Sequence, residues 1–182
     1  MKTLALFILF LFGTLIHTEA QLPGIEKIRD QYFTMDKNGS GALNLYKSLE
    51  KADLSKDAVL LAYRGASSAA AAGSVSGVKK KLEYFNHGKT ELEKAVSLKP
   101  LDAEIRFLRL ATQVNSPGFL GYTGEIKNDK SVIFTTLKSV ASNHPNAYLY
   151  LRICSFMLSY AELNPNEKTT VNQLINKFTP KK

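Results

Sequence analysis

Apolar side chains recur at three- and four-residue spacing along most of the chain, and this pattern constrains the fold more than any other feature. Ile25, Ile28 and Tyr32 form one such stripe, and Ile105 and Leu108 belong to another. This spacing is typical of helices that bury one face. No segment shows the apolar–polar alternation of a half-buried strand. The sequence therefore predicts an all-α fold, an array of antiparallel helix pairs with about seven to eight helices.

Polar residues at the joints predict where several helices begin. Asp102 is expected to cap one helix, and Ser55 another, with Asp57 in the first turn of that helix. The segment Asn164-Pro165-Asn166-Glu167 offers a capping side chain, a proline at the first helical position and a glutamate at the third. Gly88 is a candidate interruption of the longest helical region.

The N-terminal residues resemble a cleavable secretory signal. Lys2 precedes an apolar run over residues 4–16. Thr18 and Ala20 then place small residues at the two positions that a signal peptidase reads, so cleavage is expected after Ala20. An uncleaved anchor is the alternative, but the run is shorter than the roughly 20 residues that a transmembrane helix needs. We expect residues 1–20 to be removed, which leaves one helical domain over residues 21–182. This domain is expected to be periplasmic or secreted. No later stretch is apolar and long enough to span a bilayer.

The composition limits the partners that the chain can have. The formal net charge is +8, and lysines supply most of it, including the run Lys79-Lys80-Lys81. Such a surface can associate weakly with anionic surfaces, whereas export and the lack of a nucleic-acid motif argue against nucleic acid. The single cysteine, Cys154, lies in an apolar stretch and is predicted to be a buried thiol.

The segment from Gly88 to Pro100 resembles the second helix of a tetratricopeptide repeat. Gly88 takes the place of its small residue, Leu92 of its large apolar residue, Ala95 of its alanine, and Pro100 of its closing proline. The resemblance implies a superhelical array of helix pairs in which Gly88 lets the paired helix approach. The chain is also similar to small exported bacterial proteins of unassigned function.

Motifs for metal binding and catalysis are incomplete. Asp36 to Leu43 has the spacing of a calcium loop, but its twelfth position is Lys47, where the loop needs a bidentate glutamate. A polar turn is the preferred interpretation, and a weak calcium site is the alternative. His87 and His144 stand in no recognised catalytic motif. The sequence predicts no enzyme, metal or cofactor, although a pair of either histidine with Cys154 stays open.

The candidate binding residues are arginines and aromatics on apolar-rich helices and in a Pro/Gly-rich loop. Arginine in this setting suits planar pairing with carboxylates or carbonyls. In a concave groove such residues would hold a peptide. Structural pairing with Glu83, Glu104, Glu162 or helix-end carbonyls is the alternative. The loop aromatics would either plug onto the core or anchor a partner. The predicted groove residues are Tyr63, Arg64, Arg106, Arg109, Phe119, Tyr122, Tyr148 and Arg152.

These features lead to one expected function and two alternatives. We expect an exported helical-repeat module that binds a protein or peptide as a scaffold or adaptor without catalysis. The first alternative is a carrier of a small apolar ligand or lipid, held between helices near the alanine-rich stretch that begins at Ala69. The second is an enzyme with an unconventional site.

Overall fold

The computed structural model describes residues 22–35 and 40–180 of the chain, and in this part the protein is all-helical, as predicted. It contains eight α-helices and one short 3-10 helix, and no strand occurs within the described ranges. The helices are α1 Ile25–Phe33, α2 Ser40–Leu49, α3 Ala58–Ala71, α4 Val78–Leu98, α5 Ala103–Asn115, α6 Ile126–Ser139, α7 Ala147–Tyr160 and α8 Pro165–Phe178, with the 3-10 helix at Gly118–Leu120. The predicted leader and the first positions of the predicted calcium loop lie outside the described residues.

Consecutive helices pack against each other. The main pairs are α3 with α4, α2 with α3, α5 with α6, and α7 with α8. The connections within these pairs run from four residues between α7 and α8 to ten between α5 and α6, which suits antiparallel neighbours. Helix α3 also contacts α1 and α5, so it ties the N-terminal helices to the middle of the chain.

Helix α5 is the most deeply embedded helix, because every residue from Ala103 to Gln113 is buried. Its apolar residues, including Phe107 and Leu110, join the main core. A helix buried on all sides must also satisfy its charged residues internally. Glu104, Arg106 and Arg109 of α5 therefore need partners on the surrounding helices.

Local capping follows the sequence closely, with one correction. Asp102 accepts hydrogen bonds from the backbone N–H groups of Glu104 and Ile105, and Asn164 forms the predicted capping box with Glu167. The cap of α3 is Asp57, which accepts from the N–H of Leu60, and not Ser55. A carboxylate at this position satisfies an orphan N–H and also interacts favourably with the helix dipole.

Glycines allow α3 and α4 to approach closely. Gly88 does not interrupt α4, which continues to Leu98. A Cβ atom at Gly88 would collide with the carbonyl oxygen of Gly65 and would come within 2.5 Å of the backbone nitrogen of Ala69. The predicted role of Gly88 in close helix approach is confirmed, and packing outweighs the roughly 1 kcal/mol that glycine costs inside a helix.

Cys154 is fully buried in the core, as predicted. Burial raises the pKa of its thiol to about 12. The thiol therefore stays protonated near neutral pH, and a protonated buried thiol is a poor nucleophile.

Candidate functional site: an apolar cavity

Two of the predicted arginines share one buried carboxylate. Arg106 and Arg109 of α5 both donate to Asp129 of α6, at 2.8 and 2.7 Å, and Asp129 is fully buried. Gln113 also donates to this carboxylate, at 2.9 Å. Burial acts to lower the pKa of Arg109, but its hydrogen bonds and the charge of Asp129 outweigh burial and raise it. This cluster holds α5 against α6.

Tyr63 and Arg64 are also engaged in internal contacts. The hydroxyl of Tyr63, which is fully buried, donates to Glu104 at 2.7 Å, and Glu104 in turn pairs with Arg29 of α1. The Nε atom of Arg64 donates to Glu91 of α4 at 2.8 Å, and its Nη1 atom donates to the carbonyl of Ala52 at 2.9 Å. These contacts connect α1, α3, α4 and α5.

The two loop aromatics have opposite environments. Tyr122 is buried against Phe85 and donates to Glu93 at 2.7 Å, so it fixes the loop to α4. Phe119 is 85% exposed. The loop therefore has both of the predicted characters, a buried plug at Tyr122 and an exposed ring at Phe119.

Tyr148 and Arg152 lie on a different part of the surface. Arg152 donates to Asp30 at 2.6 Å, and its guanidinium lies 4.1 Å from the centroid of the Phe33 ring. Tyr148 is largely exposed, and the centroid of its ring lies 5.6 Å from the same guanidinium. The eight predicted residues thus do not share one groove. Their arginines make structural pairs, the alternative that the sequence raised: Arg64 donates to the carbonyl of Leu49 at the end of α2. The carboxylates that they pair with are other than Glu83, Glu104 and Glu162.

A large cavity of about 870 Å³ opens between α3, α4, α5 and α7, beside the end of α1. Ligand sites in proteins typically measure about 300–1,000 Å³, and even a 150 Å³ apolar cavity can hold a benzene ring. The space is therefore far larger than a packing defect. Of the predicted site residues, Phe119 lines it, whereas the arginines named above do not.

Small residues on one side of α3 leave the space open. Ala66, Ala69, Ala70, Ala72 and Gly73 line this wall. All but Ala66 belong to the alanine-rich stretch, or follow it directly, that the sequence indicated for an apolar ligand. The opposite walls carry large apolar side chains from five segments. These are Tyr32, Phe33, Met35, Leu82, Phe85, Phe107, Leu120, Phe156 and Tyr160.

The polar lining is sparse. Thr112, Asn115 and Ser116 donate their side-chain hydrogen bonds to backbone carbonyls of their own segment. Lys81 is the one charged side chain among the described residues that line the cavity. An apolar space with a single cation in its wall suits a ligand with a long apolar part and an anionic group.

Another cluster, at Ser68, His87 and Glu91, brings together residue types used in nucleophilic catalysis. The Nδ1 atom of His87 lies 3.3 Å from the Ser68 hydroxyl oxygen and 3.8 Å from a Glu91 carboxylate oxygen. A catalytic relay needs different ring nitrogens for these two contacts. Here the Nδ1 atom of His87 faces both the Ser68 hydroxyl and the Glu91 carboxylate, and Glu91 already pairs with Arg64. The three side chains are therefore not arranged as such a relay.

Within residues 22–35 and 40–180, no group of three or more His, Cys, Asp or Glu side chains is placed to hold a metal ion. In the same ranges, no helix has the length and apolar character to cross a membrane.

Comparisons of the chain with protein-family models, with curated proteins and with solved structures give no match. The resemblance to a tetratricopeptide repeat rests on residues 88–100 and stays a prediction. The case for a function therefore comes from the geometry of the cavity.

Proposed function

We propose that this protein binds a long-chain apolar ligand, such as an acyl chain, in the cavity between α3, α4, α5 and α7. The observation that supports this most is the size of the cavity, about 870 Å³, together with its mostly apolar lining. Burial of apolar surface is the main favourable contribution to binding in such a site. The function is that of a carrier, which the sequence raised as an alternative.

The anionic end of the ligand would lie near Lys81. This lysine is exposed at the start of α4, so its ammonium group can meet a carboxylate or phosphate while the chain enters the cavity. No Asp or Glu side chain is among the described lining residues, so an anionic group there meets no like charge in the wall. The preferred ligand is therefore an amphiphile with one negative head.

Replacing Ala70 by Trp is expected to weaken ligand binding at least about tenfold, because the indole would occupy space that the acyl chain needs. Ala70 lines the cavity but is itself exposed, so the larger side chain can be placed without disturbing the core. The measurement is calorimetric titration of the purified protein with dodecanoate. The protein is produced from the full-length sequence, and its intact mass shows whether the leader has been removed.

The matched control is Ala141→Trp, which adds the same ring at an exposed position outside the cavity. It should bind dodecanoate as the unmodified protein does. Circular dichroism should show the same helix content in all three proteins. If Ala70→Trp binds dodecanoate with unchanged affinity, or if the unmodified protein does not bind it, the proposal is wrong.

A second candidate function is the binding of a protein or peptide. Phe119, which is 85% exposed, and Tyr148, which is 69% exposed, are large aromatic side chains that a partner could bury. Phe119→Ala removes an exposed ring that also lines the cavity, whereas Tyr148→Ala removes one that does not. Loss of a specific partner from pull-downs with this variant, but not with Tyr148→Ala, would favour this function. Identical partners with both variants would contradict it at these positions.

We also propose that the protein acts outside the cytoplasm. Support comes from the positive residue, apolar run and small residues that precede Gln21. A ligand with a long apolar chain is compatible with that location, because membranes supply such molecules.

A further inference from the structure

Exposed apolar side chains gather around the mouth of the cavity. Val78 at the start of α4 is 75% exposed, Phe119 on the 3-10 helix 85%, and Tyr160 at the end of α7 58%. Leu82, one turn after Val78, is also exposed. All four line the same cavity, and together they are called the apolar rim. Exposed apolar groups that cluster in this way usually mark an interaction surface.

Lysines adjoin the apolar rim. Lys79, Lys80 and Lys81 follow Val78 directly in the first turns of α4, and all three are exposed. Glu83 is the nearest acidic residue in sequence, and it does not line the cavity. The mouth of the cavity therefore combines large apolar side chains with a local excess of positive charge.

We propose that the apolar rim and Lys79–Lys81 dock the protein on the surface of an anionic lipid bilayer. The aromatic and aliphatic side chains would enter the boundary between headgroups and acyl chains, while the lysines lie among the phosphates. The net charge of +8 draws the protein toward such a surface. An anionic bilayer offers negative charge to the lysines and an apolar layer that covers the exposed side chains of the apolar rim.

Docking in this orientation would open the cavity toward the membrane. A long-chain ligand could then pass between bilayer and cavity without crossing water, where each exposed methylene is unfavourable. This consequence rests on the proposed carrier function. The docking itself rests on the exposed rim and the lysines, so the two can fail separately.

The test is sedimentation of the protein with phosphatidylcholine vesicles, with and without an equal amount of phosphatidylglycerol. We expect binding only to the anionic vesicles, and we expect added salt to weaken it. The double variant Lys79→Gln/Lys80→Gln should reduce partitioning by about thirtyfold, since each lysine near an anionic surface contributes about fivefold. Phe119→Ser should reduce it by about tenfold or more. Lys81 is left in place so that the double lysine variant does not alter the cavity wall.

Matched controls use the same residue types away from the rim. Lys51→Gln/Lys56→Gln removes two exposed lysines, and Tyr148→Ser removes an exposed aromatic ring, at positions that do not line the cavity. Both should bind anionic vesicles nearly as the unmodified protein does. Equal binding to neutral vesicles, no binding at all, or equal losses in control and rim variants would overturn the docking proposal.

Titration with dodecanoate in the absence of vesicles separates this proposal from the carrier function. Dodecanoate binding without vesicle binding would overturn the docking proposal alone. Vesicle binding without dodecanoate binding would overturn the carrier function alone. If Phe119→Ser abolished the capture of a specific protein while anionic vesicles were not bound, the rim would be a protein-binding surface and the docking proposal would be wrong.

Discussion

Gly88→Ala is expected to lower the free energy of unfolding by about 2–4 kcal/mol, because the added Cβ would collide with the backbone of α3. The atoms that it meets are the carbonyl oxygen of Gly65 and the nitrogen of Ala69. Neither can move as a flexible side chain could, so α3 and α4 must separate. The gain in helix propensity from glycine to alanine, about 1 kcal/mol, is too small to offset this.

The measurement for Gly88→Ala is thermal unfolding followed by circular dichroism. A loss of this size corresponds to a fall in Tm of roughly 5–12 °C for a chain of this length. Gly65→Ala should behave similarly, since its Cβ would lie 2.8 Å from the carbonyl oxygen of Gly88. Gly24→Ala is the matched control, because nothing lies within 4 Å of its added Cβ. An unchanged or raised Tm for Gly88→Ala would contradict the close approach of the two helices.

Asp129→Ala is expected to lower the free energy of unfolding by about 3–5 kcal/mol, the usual effect of removing one partner from a buried ion pair. Asp129 is fully buried and accepts hydrogen bonds from Arg106, Arg109 and Gln113. Without it, two guanidinium groups remain in the interior with fewer acceptors. Arg109 keeps Glu93 and Glu125, whose side chains are partly exposed, and these can replace only part of the loss.

Two further variants test the buried network around Asp129. Asp129→Asn keeps the shape and one acceptor oxygen, so it should destabilise less than Asp129→Ala. Asp30→Ala removes the partner of Arg152 at the surface, where such pairs contribute about 0–1 kcal/mol. Chemical denaturation of all three variants gives the comparison. Similar small losses for Asp129→Ala and Asp30→Ala would show that the buried network contributes little.

Features of this fold that depend on nearby residues could be predicted from the sequence. The helical spacing and the caps at Asp102 and Asn164 are local, and the structure confirms them. Gly88 shows the limit of local reasoning. Its low propensity suggested a break, but contact with Gly65, far away in the chain, keeps it inside a continuous helix.

The candidate site could be predicted only in part. The alanine-rich stretch pointed to a space beside α3, and that space exists. Its aromatic walls come from five segments, and apolar residues at helical spacing do not reveal which of them face a cavity instead of the core. The carboxylate partner of Arg106 and Arg109 was missed for the same reason, since Asp129 lies 23 and 20 residues from them. Such pairings depend on how the helices are arranged in space.

Titration with saturated carboxylates of increasing length shows whether the cavity holds a long apolar chain. The carboxylates are kept below the concentrations at which they form micelles. Each added methylene buried in the cavity contributes about 0.8 kcal/mol, which is about fourfold in Kd. We expect this gain for each methylene until the cavity is filled, followed by a plateau. An affinity that does not depend on chain length would contradict it.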